Sequence, residues 1–227
     1  WKNIINNIFL PKIEGTNIFL QNDGFLDKEL SPIENIPINE RPICQNWSWD
    51  RILRSAYIKQ ADVLQGLYFF EEHFDKEIIK ENIDFYFPLT VHESSLSPCV
   101  HSILFSSINN IDKAFEMYLR TSRLDLDDYN NEVDEGLHIT SMAGSWLSIV
   151  EGFAGVRIKD DGIFISPIIP KKWRSYNFKM YYNNEIIEFL VTNDQVNVTN
   201  NSCNNLNLFV DDNKYILNEK SKKVIDL

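Results

Sequence analysis

Cysteine, glycine and positive charge are all scarce in this chain. Only Cys44, Cys99 and Cys203 are present, widely spaced and without a CxxC pair. That disfavours a disulfide scaffold or a cysteine zinc site and suits a reducing compartment. Eight glycines in 227 residues form no GxGxxG, Walker or GxSxG motif, and no HExxH occurs. Nucleotide loops, nucleophile elbows and zincin chemistry therefore have no sequence support. The 22 Lys and Arg residues stand against 33 Asp and Glu, a formal charge of −11. A nucleic-acid partner needs a basic face and is not expected. One bound phosphate is still allowed, because a local group of donors outweighs a distant net charge. No apolar run approaches the roughly 18–20 residues that span a bilayer, so no membrane partner is expected. The chain starts at Trp1 rather than Met, so the lack of a leader decides nothing.

What is present is an ordinary globular composition, 44% hydrophobic and 13% aromatic, sufficient for a real core. From Ile52 to Val156 the apolar spacing is helical. Ile52, Tyr57, Val63, Leu64, Leu67 and Phe70 predict one long helix, and Lys76 to Phe85 a shorter one. Pro98 fits the first turn of a third, Asp112 to Thr121 forms a fourth, and Ile139 to Phe153 a fifth. Ala143, Gly144 and Ser145 predict close packing of that last helix. The first 45 residues, broken by prolines and glycines, read as an extended segment laid over a helical body. Beyond Gly155 the period changes to two. Short strands are predicted at Gly162 to Ser166, Tyr176 to Tyr182, Glu185 to Val191, Gln195 to Val198, Leu206 to Val210 and Tyr215 to Leu217. Asn183-Asn184 marks a hairpin turn. The expectation is a mainly α body, residues 1–157, followed by a small antiparallel β-sandwich, residues 158–227.

Chemistry gathers in three places. Lys59, Gln60 and Asp62 put an ammonium, an amide and a carboxylate into an apolar stretch. On a helix, Lys59 and Asp62 share a face, and the Gln60 amide both donates and accepts, as a pair of sugar hydroxyls requires. From spacing alone a solvated helix face with a surface ion pair is the more ordinary explanation. His92, Glu93, Ser94, Ser95 and Ser97 precede the Pro98 helix. Hydroxyls and free N–H groups at a helix start suit an anion, to which His92 would add charge, yet Ser97 before Pro98 is also an ordinary N-cap. Third, Glu135-Gly136-Leu137-His138 opens the small-residue helix, with His138 either meeting an anion or serving as a core histidine. The acidic run from Asp125 to Glu135 lacks the glycine and alternation of a calcium loop and reads as solvated, so no metal is expected.

The stretches carrying these clusters resemble a family. Arg41-Pro42-Ile43-Cys44-Gln45-Asn46-Trp47-Ser48-Trp49-Asp50-Arg51, Lys59-Gln60-Ala61-Asp62-Val63, Leu89-Thr90-Val91-His92-Glu93-Ser94-Ser95-Leu96-Ser97-Pro98, Asp125-Leu126-Asp127-Asp128-Tyr129-Asn130-Asn131-Glu132 and Glu135-Gly136-Leu137-His138-Ile139-Thr140-Ser141-Met142-Ala143-Gly144 occur in this order. Together they are similar to inverting disaccharide phosphorylases of the maltose, kojibiose and trehalose type.

The resemblance implies the second half of an (α/α)6 barrel followed by a β-sandwich, a cytoplasmic setting, and commonly a homodimer. It implies that inorganic phosphate, as co-substrate with no other cofactor, attacks an α-glucosyl disaccharide, with maltose the expected substrate, to give β-glucose 1-phosphate. By resemblance, Lys59 and Gln60 would hold the glucosyl unit, and His92, Ser94, Ser95 and His138 the phosphate. The family's general acid lies in a motif upstream of the Lys-Gln pair. Glu14, Glu29, Glu34 and Glu40 do not sit in that motif. The catalytic acid is therefore expected upstream of Trp1, and the chain alone is expected to be inactive and, as half a barrel, poorly soluble. Two alternatives remain: a related hydrolase in which Glu93 activates water, and a non-catalytic carbohydrate-binding module.

Overall fold

The computed structural model describes all 227 residues, Trp1–Leu227. A first helix, α1 (Lys2–Asn7), buries none of its residues. The following extended segment is laid over the helices, as its prolines predict. Asn82 Oδ1 accepts from Phe19 N at 2.9 Å, and the Tyr86 hydroxyl donates to Phe19 O at 2.7 Å. Then come α2 (Ile43–Asn46), α3 (Trp49–Arg54), α4 (Asp62–Phe69), α5 (Lys76–Tyr86), α6 (Ser97–Ser107), α7 (Ile111–Ser122) and α8 (Ile139–Leu147). A π-helical turn, Ser148–Phe153, continues α8.

The long helix expected over Ile52–Phe70 is instead two, α3 and α4, with an extended break between them. Ile58 forms a parallel bridge with Thr90 there, so its apolar side chain faces the core from a strand-like backbone. The remaining helix predictions agree to within two residues at most termini. Helix α6 sits at the centre of this region, with Ser97 to Ser106 all buried. Three of its serines are satisfied by carbonyls: Ser102 Oγ donates to Ala114 O at 2.9 Å, Ser106 Oγ to Ser102 O at 2.9 Å and Ser107 Oγ to Leu104 O at 2.8 Å. The predicted close packing of α8 rests on Gly144. A Cβ there would lie 2.8 Å from Cys99 Cβ in α6 and 3.2 Å from Thr121 Cγ2 in α7.

The C-terminal region has eight strands: β1 (Arg157–Lys159), β2 (Gly162–Ile165), β3 (Ser175–Tyr182), β4 (Glu185–Thr192), β5 (Gln195–Asn200), β6 (Leu206–Val210), β7 (Asn213–Leu217) and β8 (Ser221–Asp226). They form two four-stranded sheets, ordered β1-β2-β6-β7 and β3-β4-β5-β8. The expected all-antiparallel arrangement is corrected at one place, since β2 and β6 run parallel. Strands β1 and β8 were not predicted. The β3–β4 hairpin turns at Asn183 and Asn184 with φ of 51° and 65°, the left-handed pair that this connection needs. Alternation is strict along β3, where Tyr176, Phe178 and Met180 point inward.

Helices and sheets share one continuous core. Phe153, fully buried, meets the rings of Tyr118 and Trp173 at 5.6 and 5.3 Å, and its carbonyl accepts from the Tyr176 hydroxyl at 2.9 Å. Arg157 pairs with Glu71, and the Tyr68 hydroxyl bonds the Glu151 carboxylate, closing the same junction with charge. No helix is long and apolar enough to cross a membrane.

Candidate active site

The parallel bridge is what gathers the polar residues. Ile58 N donates to Leu89 O at 3.0 Å and Val91 N donates to Ile58 O at 2.9 Å. Residues 59–60 therefore run beside residues 91–92, and the Ser94 hydroxyl donates to Gln60 Oε1 at 3.2 Å. Lys59 and Gln60 lie outside any helix, so the helical-face spacing of Lys59 and Asp62 does not apply. Instead Gln60 Nε2 reaches Asp62 Oδ1 at 3.3 Å, and Gln21 donates to the other Asp62 oxygen at 2.8 Å. Lys59 is exposed, with no side-chain hydrogen bond or ion pair of its own.

The loop from His92 to Ser97 has a defined backbone. His92 has φ of 56°, a left-handed value uncommon outside glycine, and its carbonyl accepts from Arg120 Nη2 at 3.3 Å. Its ring is buried and turned inward, with Nδ1 2.9 Å from Ser97 Oγ and the His101 ring at 4.6 Å between centroids. Burial holds its pKa well below the ordinary histidine range, and the neighbouring His101 and Arg120 act in the same direction. The ring is neutral, so the charge expected from His92 is not supplied. Ser97 is not an N-cap either: it lies inside α6 behind Leu96, with its hydroxyl on the two histidines. Glu93 is buried, and its two oxygens accept from the backbone N–H groups of Ile43 at 2.5 Å and Cys44 at 2.9 Å. A carboxylate thus satisfies the first amides of α2. Cys44, beside it, is pushed up to about 11 by burial and by Glu93, and is a thiol at neutral pH.

The third cluster closes on the second. Ser95 Oγ and Thr140 Oγ1 are 2.6 Å apart, so the start of α8 touches the serine loop. His138 holds the N-cap position of α8 without capping it. Its backbone N donates to Asp125 Oδ2 at 3.0 Å while its Nδ1 lies 2.5 Å from Asp125 Oδ1. Its Nε2 is 3.6 Å from Glu132 Oε2. Desolvation would raise the Asp125 pKa, but its hydrogen bonds to His138 prevail and hold it below the usual carboxylate range. The acidic run is therefore ordered rather than merely solvated. Asp127 pairs with Arg123 at 2.6 Å, and Asp128 Oδ1 accepts from Glu132 N at 2.9 Å and Val133 N at 3.1 Å. Asp125, Glu132 and Thr140 belong to the site and escaped sequence reasoning. Only the position of Asp125 thirteen residues before His138 hinted at a pair, and that spacing has no general meaning.

A cavity of about 300 Å³ lies behind the serine loop, lined among others by Ile43, His92, Glu93, Arg120 and Asn130. A larger one, about 440 Å³, opens at the helix–sheet junction around Trp146, Arg157 and Tyr181 and contains none of the predicted site residues. Of the predicted site residues, the first includes only His92.

Comparison with known proteins bears on the same segments. The chain is 51% identical over 196 residues to maltose phosphorylase of Bacillus subtilis, a match covering 86% of this chain and 26% of that protein. It is 35% identical over 224 residues to kojibiose phosphorylase of Halothermothrix orenii, covering 99% of this chain and 28% of the relative. The chain thus spans about a quarter of the length of the curated relatives it matches. A solved structure provisionally named kojibiose phosphorylase, from the human microbiome, superposes with a TM-score of 0.91 at 39% identity, over 100% of this chain and 30% of that one. Residues 1–147 match the glycosyl hydrolase family 65 central catalytic domain and residues 156–217 the C-terminal domain of that family. By this match over well more than half its length, the chain belongs to glycosyl hydrolase family 65.

Proposed function

We propose that the chain is the C-terminal part of an inverting disaccharide phosphorylase that converts maltose and inorganic phosphate to β-glucose 1-phosphate and glucose. In this reading residues 1–157 complete an (α/α)6 barrel as its second half and residues 158–227 form the sandwich beside it. Phosphate attacks the anomeric carbon from the face opposite the leaving oxygen, so it replaces the base-activated water of an inverting hydrolase. A carboxylic acid from upstream of Trp1 protonates the leaving oxygen. Lys59 and Gln60 hold the glucosyl unit. The Ser94 and Ser95 hydroxyls and His138 Nε2 hold phosphate, and the left-handed turn at His92 presents the two serines. The reading carries no metal or organic cofactor, and because phosphorolysis spares ATP inside cells it includes a cytoplasmic setting and a homodimeric enzyme.

One observation carries the proposal. Gln60, Ser94–Ser95 and the start of α8, from three separated stretches, meet through contacts of 3.2 and 2.6 Å. The hydrolase alternative asks Glu93 to activate water, but both its oxygens already accept backbone N–H groups. The test is product analysis of the intact enzyme with maltose, trehalose, kojibiose and nigerose, with and without phosphate. β-Glucose 1-phosphate formed only with phosphate, and fastest from maltose, is the expected result. Equal glucose release without phosphate would establish hydrolysis instead, and sugar binding without turnover would establish a binding module. The 227-residue chain alone is expected to show no turnover.

A further inference from the structure

Building on the phosphate reading above, we infer that Asp125 and Glu132 set the anion affinity of His138 in opposite senses. Asp125 is a positioning residue that aims the ring, and Glu132 is a carboxylate that the incoming anion must displace.

Asp125 grips His138 at two points, the backbone N at 3.0 Å and Nδ1 at 2.5 Å. The backbone N–H can only donate, and the carboxylate can only accept. The second bond therefore places a proton on Nδ1 and fixes the ring plane, and Nε2 donates to an anion in the imidazolium form, in which both ring nitrogens carry protons. Nε2 is left as the one ring atom able to meet a ligand. A Glu132 carboxylate oxygen lies 3.6 Å from it, longer than a good charge-assisted bond. Glu132 is itself placed by its backbone, whose N–H donates to Asp128 at 2.9 Å, and Asp128 adopts φ of 46° to allow it. The ring is about three-quarters buried, and both carboxylates more deeply so, which leaves little water to screen the group. A phosphate approaching Nε2 meets a donor held ready by one carboxylate and guarded by another. Asp125 strengthens the site by orientation, whereas Glu132 weakens it by repulsion and by occupying the same nitrogen.

The experiment uses the intact enzyme and reads KM for inorganic phosphate separately from KM for maltose and from kcat. Asp125→Asn keeps one acceptor and loses the two-point grip. Its KM for phosphate should rise about 10-fold or more, while KM for maltose stays within about twofold. Asp125→Glu should recover part of the loss. Glu132→Gln removes the competing charge, and KM for phosphate should fall severalfold. Gln keeps the size and shape of the Glu132 side chain, so this variant keeps the test open if Asp125→Asn folds poorly. A general loss of structure would raise both KM values and lower kcat, and cannot produce the opposite response of the two variants. A phosphate-dependent wild-type enzyme whose Asp125→Asn and Glu132→Gln forms keep the wild-type KM for phosphate would overturn this inference alone. A wild-type enzyme indifferent to phosphate would overturn the functional reading and this inference together.

Discussion

The two regions of this molecule have differently made interiors. Twelve of the fourteen buried polar residues lie in the helical region and only Asn200 and Ser202 among the strands. All the buried side-chain atoms without a hydrogen-bond partner, on His92, His101, Arg120, Thr121 and Asn130, are also in the helical region. In the strand region no buried side-chain nitrogen or oxygen lacks a partner. Asn200 Nδ2 alone reaches the carbonyls of Asn204 and Asn218 at 2.9 Å and Leu217 at 3.3 Å, and its Oδ1 accepts from Ser202 N at 3.0 Å. Polar side chains in a low-dielectric interior are costly unless bonded, and they accumulate where a site has to be built. The contrast separates a region shaped for chemistry from one shaped for stability.

Four measurements on the intact enzyme would break or sharpen this contrast, from the largest expected effect to the smallest. Phe153→Ala removes the ring on which the two interiors meet and should destabilise the protein by about 4 kcal/mol. Calorimetry should then resolve separate melting of the helical and strand regions where the wild type melts as one, and a single transition would show that the interiors are not joined there. Next is acid. Burial lowers the His101 pKa to about 4, and His92 moves in the same direction. The unfolded chain binds these protons below about pH 6.5 and the folded one does not, so stability is full above that pH and falls as pH drops toward 4. His101 alone contributes a loss of about 3 kcal/mol across that window. Urea midpoints at several pH values should show a slope that His101→Gln reduces and that His92 in part retains.

The third change, Asn200→Ala, strips the strand region of its buried amide and should cost about 2 kcal/mol by chemical denaturation. Thr121→Val is the smallest. The Thr121 hydroxyl has no partner, so its replacement by a methyl group should leave the melting temperature unchanged or slightly raised. A clear loss from Thr121→Val would mean that the polar groups of the helical interior are better satisfied than the contrast requires.

Legibility in the sequence followed the same division. Strands β3 and β4 could be read almost to the residue, because alternation and Asn183-Asn184 are local signals. Strand β8 was missed because SKKVID has one buried side chain, Ile225, in an otherwise exposed pattern. The parallel β2–β6 pair was missed because pairing between distant strands leaves no local trace. In the helical region the break at Ser55–Ala61 has no proline or glycine, and Tyr57, Ile58 and Ala61 continue the helical spacing by accident. Gln60, Ser94, Ser95 and His138 stand out in sequence as polar clusters, and the family resemblance is what joins them into one proposed site. Their carboxylate partners Asp125 and Glu132 were hidden in a run of acidic residues that looked alike in sequence and differ only in what they face.

The stitch between Ile58 and Thr90 also bears on how such a protein can vary. Its two backbone bonds tie together the ends of everything between them, so α4, α5 and their connection form a closed excursion. That excursion can be lengthened, trimmed or exchanged for another lineage's version while both anchor points keep their register. Diversity in α4, α5 and their connection is then compatible with a constant loop from Ser94 to Ser97.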